Sequence, residues 1–208
     1  MIGIIDYGVG NLFSIRSSLR FLGFDAEVSG DIDTLSRADK LILPGVGAFG
    51  DAMDKLSQAK LVAPLRELAA AGKPLLGICL GMQMLFEESF EFGRHAGLGL
   101  LHGRVESMQE PLRSRGSTLK IPQIGWNALH IVRPDCPILR SCREGDYVYY
   151  VHSYYAVGCE ESLAAESDYC VQVPGVVWNG NVFGTQFHPE KSGDVGLGIL
   201  KAFCEVSL

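Results

Sequence analysis

The chain opens on the segment 2–6, Ile-Gly-Ile-Ile-Asp, whose first four residues are apolar with none of the alternation of a half-exposed strand, so it predicts a strand buried on both faces. Leu12, Phe13, Ile15, Leu19 and Leu22 then recur at helical spacing behind Asn11, a residue suited to capping a helix, and Gly23 marks its end. Further strands are expected at 24–28, 40–43 and 74–78, separated by helical patterns around 52–56 and 61–71. Strands alternating with helices predict an α/β fold with a parallel sheet.

Beyond about Gly97 the pattern changes. Residues 103–108, 126–132, 147–157 and 169–173 read as longer strands with alternating character, which predict an antiparallel extension. Asn179-Gly180 between the apolar arms of 176–183 predicts a type I′ hairpin that delivers the chain to Gly184-Thr-Gln-Phe-His-Pro-Glu190, and a last helix is expected over 194–206. No linker, repeat or low-complexity tract interrupts the sequence, so one domain is expected over 1–208.

Composition narrows the function. With 47% hydrophobic and 20% charged residues among 208, the chain has the make-up of an ordinary globular protein, and its formal charge of −6 disfavours a nucleic-acid partner. The densest basic run, 113–120, is expected to be a solvated loop. There is no basic leader followed by an apolar segment and no membrane-length run, so a cytoplasmic protein is expected. The six cysteines show neither C-x-x-C pairs nor zinc-ligand spacing, and reduced thiols are expected, with Cys170 and Cys204 in the core and Cys136, Cys142 and Cys159 in polar, turn-rich surroundings.

Candidate chemistry concentrates at Gly77-Ile-Cys-Leu-Gly81, where a buried strand meets a helical pattern beginning at Leu80. Flanking glycines allow the sharp, strained elbow that projects a nucleophile above a sheet, and a following helix would favour a thiolate at Cys79 and aim the Leu80 N–H at an oxyanion. His188-Pro-Glu190 offers a base and a carboxylate two residues apart on an extended segment, a spacing at which the acid can orient the imidazole. Residues 43–49, Leu-Pro-Gly-Val-Gly-Ala-Phe, bring unobstructed backbone N–H groups for a second oxyanion donor; the spacing fits neither a Walker loop nor a dinucleotide fingerprint. His95, His102 and His130 lie in ordinary loop, strand or turn contexts, and His152 suits packing or substrate contact.

Gly77-Ile-Cys-Leu-Gly-Met-Gln83 together with the distant Gln186-Phe-His-Pro-Glu190 resembles the class I glutamine amidotransferase family. Residues 5–12, 43–49, 122–127 and 150–154 extend the likeness along the chain and resemble the branch that serves imidazole glycerol phosphate synthase. The fold then implied is α/β, a doubly wound, mainly parallel sheet with helices on both faces and an antiparallel carboxyl-terminal extension. The resemblance implies Cys79 as nucleophile, His188 as acid and base and Glu190 as its orienter, with Gly45, Val46, Gly47 and Leu80 around the oxyanion. It implies Gln83, Glu91, Ser153 and Tyr154 as contacts to glutamine, with Glu91 on the substrate amine. It also implies a reaction without cofactor or metal, and a (β/α)₈-barrel cyclase subunit that consumes the ammonia in histidine biosynthesis. Gln123 stands where many family members carry histidine. The elbow and His-Pro-Glu alone also permit a stand-alone cysteine or γ-glutamyl hydrolase, and the fold alone permits a non-catalytic docking subunit.

Overall fold

The computed structural model of the chain describes residues 1–207. Strands and helices alternate in its first part: β1 (Ile2–Ile5), α1 (Leu12–Phe21), β2 (Ala26–Ser29), α2 (Ile32–Arg37), β3 (Lys40–Gly45), α3 (Phe49–Gln58), α4 (Val62–Ala70), β4 (Leu75–Cys79) and the single turn α5 (Leu80–Gln83). The remainder is strand-rich: β5 (Glu88–Ser89), β6 (His95–Ala96), β7 (Arg104–Ser107), α6 (Gln109–Ser114), β8 (Gln123–Ala128), β9 (His130–Ile131), β10 (Tyr147–His152), β11 (Tyr154–Val157), β12 (Leu163–Asp168), β13 (Gln172–Asn179), β14 (Val182–Thr185) and α7 (Gly193–Glu205).

Eight strands form one sheet in the order β2-β1-β3-β4-β14-β13-β12-β9. The strands from β2 to β14 run parallel, and β13, β12 and β9 continue it antiparallel. Two apolar faces explain the apolar make-up of β1, β3 and β4, whereas the edge strand β2 carries Glu27 and Ser29. Ile2, Ile4, Ile42, Leu76 and Ile78 pack with Ile15, Leu19, Ile199, Leu200 and Phe203 on one side. Ile5, Leu41, Leu43 and Leu75 pack with Leu35, Phe49, Leu56 and Leu65 on the other. Side chains alternate along a strand, so covering both faces demands apolar residues at every position. The chain leaves β1 for β2 and returns past it to β3, and open α/β sheets bind ligands at the carboxyl edge near such a reversal.

Several local expectations are corrected. The run over 147–157 breaks at Ser153 into β10, paired with β8 in a separate ribbon, and β11, paired with β7. Of the strand expected over 169–173, residues 169–171 are a turn with Cys170 at φ 63°, while Gln172 and Val173 open β13, and β12 lies before the turn. The Asn179-Gly180 hairpin forms, but Asn179 still pairs with Val182, and of the loop residues Gly180 and Asn181 only Gly180 has positive φ, whereas a type I′ turn needs two. Asn11 occupies the N-cap position of α1 without a capping hydrogen bond. Phe13 is 82% exposed, because it lies off the stripe formed by Ile15 and Leu19. Cys136 and Cys159 are buried, contrary to the polar surroundings expected, Cys170 sits half-buried in the turn against the core, Cys204 is buried, and all six thiols are free. Among the described residues no helix is long and apolar enough to cross a membrane.

One contact sets the spacing at the carboxyl edge. A Cβ on Gly81 would lie 1.9 Å from the Leu43 carbonyl oxygen, and one on Gly77 would lie 2.6 Å from the Gly81 oxygen. The α5 turn therefore packs main chain to main chain on β3 and β4. Gly81→Ala is predicted to destabilise the fold by at least the upper end of the ~1–3 kcal/mol typical of overpacking, because carbonyl groups cannot rotate away as a side chain can. Urea unfolding reads this as a lower midpoint at unchanged slope; an unaltered midpoint would mean that the backbones separate without cost.

Candidate active site

Cys79 ends β4 and begins the α5 turn at φ 56°, ψ −111°, a region that costs a residue with a side chain about 1–3 kcal/mol. The glycine contacts hold it there, and its side chain is buried against the sheet edge. The helical pattern from Leu80 yields one turn only, so the long helix dipole expected to activate the thiol is absent. Activation must come from neighbouring side chains.

The parallel pairing of β14 with β4, with Thr185 opposite Ile78, carries residues 186–188 alongside Cys79. His188 donates its backbone N–H to Tyr149 at 3.0 Å. Ser192 Oγ donates to the His188 carbonyl at 2.7 Å and accepts the Tyr149 N–H at 2.9 Å. Residues 189–191 are not extended as expected: they curl into a 3₁₀ turn, which swings Glu190 back toward the imidazole. His188 Nδ1 lies 2.8 Å from Glu190 Oε1, with side chains 3% and 0% exposed. Burial alone would depress the His188 pKa, but hydrogen bonds from Cys79 and Glu190, with their charges, outweigh it and raise it to about 9. With Nδ1 directed at Glu190, Nε2 remains for Cys79. Asn11 Nδ2 reaches Glu190 Oε1 at 3.5 Å, and Glu190 Oε2 is buried without a partner.

Cys79 and His188 share a cavity of about 410 Å³ with Val46, Gly47, Leu80, Gln83, Glu91, Ser153 and Tyr154. Gly45 is set behind its wall, paired with Cys79 in the sheet, where a Cβ would fall 2.6 Å from the Gly81 nitrogen. Glu91 is anchored through Oε2 to the Phe49 N–H at 2.6 Å, at the start of α3, and burial raises its pKa. The break at Ser153 explains why four successive residues of the β10 to β11 corner, Val151 to Tyr154, reach the same cavity.

Phe92, Pro122, Val151, His152 and Lys191 also line it. Phe92, at φ 55° and 85% exposed, packs edge-on to Tyr154 with ring centroids 6.2 Å apart, and no sequence pattern signals it. His152 is clamped between the Tyr154 carbonyl at 2.9 Å and Gln123 at 3.0 Å, and burial pushes its pKa down to about 4. Gln123 Oε1 is the atom placed at Nε2, but a neutral imidazole donating Nδ1–H to the carbonyl has a lone pair there, so the pair is satisfied with the Gln123 oxygen and nitrogen exchanged. Gln123 is thus the partner of His152. His102 and His130 are exposed and paired with Glu87 and Glu144, and His95 packs against Gly50. Among the described residues no cluster of His, Cys, Asp or Glu could hold a metal.

This arrangement sets a thiol beside a protonated, carboxylate-backed imidazole, in a cavity walled on one side by loop and elbow backbone. Such a group can attack a carbonyl carbon and protonate a departing amine.

The family model described as glutamine amidotransferase class-I matches residues 3–205. A Geobacillus kaustophilus protein named imidazole glycerol phosphate synthase subunit HisH is 52% identical, covering 100% of this chain and 97% of its own. A Listeria monocytogenes protein of the same name is 49% identical over 100% and 96%. Among solved structures, PurLQS from Thermotoga maritima superposes with a TM-score of 0.74 at 23% identity, covering 98% of this chain and 96% of that one, a likeness of fold.

The two histidines predict a stability profile with two limbs. His188 has a folded pKa of about 9, above the ordinary 6.5, so its contribution is complete below pH 6.5 and lost as pH rises through about 9. His152, at about 4, contributes fully above pH 6.5 and loses that contribution as pH falls toward 4, where the unfolded chain binds the proton first. Urea midpoints across pH 4.5 to 9.5 should fall on both sides of pH 6.5. His188→Asn should flatten only the alkaline limb and His152→Gln only part of the acid limb; an alkaline limb that survives His188→Asn would contradict the assignment.

Proposed function

The chain belongs to the class I glutamine amidotransferase family, and from that premise we propose that it is the glutaminase subunit of an imidazole glycerol phosphate synthase in histidine biosynthesis. The observation that carries the reading is the buried His188–Glu190 pair opening on the same cavity as Cys79 in its strained elbow. Relatives at about half identity along their full length bear that enzyme's name, which supports the choice among amidotransferases.

In this reading Cys79 attacks the side-chain amide carbon of glutamine, and the negative charge that develops on the amide oxygen is met by the N–H of Leu80 and those of Val46 and Gly47, with Gly45 holding the loop from behind. His188 protonates the leaving nitrogen, ammonia departs, and a γ-glutamyl thioester remains. A water molecule, deprotonated by His188, attacks the thioester, and collapse releases glutamate and returns the thiolate. Glu190 holds the imidazole ring in register and stabilises its cationic form. Gln83, Ser153 and Tyr154 border the substrate, and Glu91 faces its amine. None of these steps needs a metal or organic cofactor.

The chain, read as one domain, passes the ammonia to a (β/α)₈-barrel cyclase subunit with which it forms a heterodimer. That partner combines it with a ribotide to give imidazole glycerol phosphate and aminoimidazole carboxamide ribotide. The six free thiols suit a cytoplasmic setting.

Glutamate release by the purified chain, alone and with the cognate cyclase plus its nucleotide ligand, tests the proposal. Turnover is predicted to depend on the partner and to fall by roughly 10⁴-fold or more in Cys79→Ala, as loss of a nucleophile does in hydrolases. Full turnover without the partner would point to a free glutaminase, and none under any condition would favour a docking protein.

A further inference from the structure

Gln186 lies just beyond β14, with its side chain fully buried and outside the cavity lining. Its backbone N–H continues the sheet ladder to Gly175 at 2.9 Å, and Phe187 beside it turns into the core. Its amide makes two polar contacts: Oε1 with Gln83 Nε2 at 3.0 Å, and Nε2 with Cys79 Sγ at 3.8 Å.

The orientation of that amide is dictated by a group that cannot be reversed. Gln83 Nε2 also lies 3.0 Å from the Tyr154 backbone carbonyl, which only accepts. The nitrogen of Gln83 must therefore face Tyr154, and that same nitrogen can meet only an oxygen of Gln186. The NH₂ of Gln186 is left pointing at sulfur. A buried N–H needs an acceptor, and a thiolate accepts far better than a thiol. Besides the His188 imidazole, Sγ meets a group of the opposite preference, since the Val151 carbonyl at 3.9 Å can take only a thiol proton.

We infer that Gln186 is a further catalytic residue, whose side-chain N–H donates to the Cys79 sulfur and favours its anionic form. This rests on the reading of Cys79 as the nucleophile. Gln186 supplies a neutral donor that keeps its orientation when His188 surrenders its proton, so the sulfur retains one fixed partner through both halves of the reaction. The relay from Tyr154 through Gln83 and Gln186 to Cys79 also ties the cavity wall to the nucleophile. The titratable groups facing the sulfur are His188 from the segment after β14, with Glu190 behind it, and Tyr7 from the loop after β1; His152 of β10 stands near His188.

The test is the pH dependence of Cys79 alkylation by iodoacetamide in the full chain, followed on the Cys79 peptide by mass spectrometry with Cys79→Ala as blank. Gln186→Met keeps length and removes the donor, and the alkylation midpoint should rise by about one pH unit. Gln186→Glu, which turns an acceptor toward sulfur, should raise it further. In the unaltered protein the Gln186 side-chain amide proton should titrate with the midpoint of Cys79 by NMR, a readout that survives if both variants fail to fold. Unchanged midpoints in the variants, or an amide signal that ignores Cys79, would overturn the inference. Neither readout needs turnover, so a chain inactive on glutamine but with shifted midpoints sinks the proposed function alone, while normal turnover with unshifted midpoints sinks this inference alone.

Discussion

The absence of a side chain at Gly81 governs the carboxyl edge of the sheet. With hydrogen in place of Cβ, the α5 turn rests on the Leu43 carbonyl, and Gly77 and Gly45 allow the same closeness from β4 and β3. Cys79 must then bridge a strand and a turn that are nearly in contact, and positive φ is the conformation that does so. The strain is maintained by main-chain packing on three sides, which no rotamer change relieves. Everything aligned on Cys79, including the approach of residues 186–188 along β14, takes its geometry from that contact.

Electrostatics at the site divide between two imidazoles that burial affects oppositely in the end. His188 faces the Glu190 carboxylate and the Cys79 sulfur, whose hydrogen bonds and negative charge together overcome the cost of burying a cation. His152, held between a carbonyl and an amide, has no anion to offset that cost and stays neutral. Only one of the two carries charge near neutral pH, although both line the same cavity. Glu190 Oε2 remains buried and unpartnered, which concentrates the carboxylate's hydrogen bonding on the oxygen shared by His188 and Asn11.

Much of this was legible in the sequence where burial on two faces leaves an unbroken apolar run, as in β1, β3 and β4. The elbow was legible because glycines bracket Cys79. What escaped has local causes. β12, with two alanines and Glu166, carries no apolar alternation, while Tyr169 and Val171 have strand propensity but sit in a turn. Periodicity at Leu80 marked a helix without revealing that it lasts one turn. The curl at 189–191 was hidden because proline suits an extended chain and a 3₁₀ start equally. Phe92 reaches the site through tertiary placement, which no spacing of residues encodes, and the same holds for the contact of Gln186 with Cys79, although Gln186 itself belongs to the motif over 186–190.

The sheet order also has a consequence in time. Cys79 sits on the fourth strand, yet Gln186, 107 positions later, arrives on the last strand, which inserts beside it. During synthesis at roughly 5–20 residues per second, the thiol leaves the ribosome several seconds before the imidazole exists. A nascent or prematurely terminated chain that lacks β14 thus carries the cysteine without His188. Without β14 the proposed chemistry has no base, so under that reading a copy that stops before this strand is silent toward glutamine.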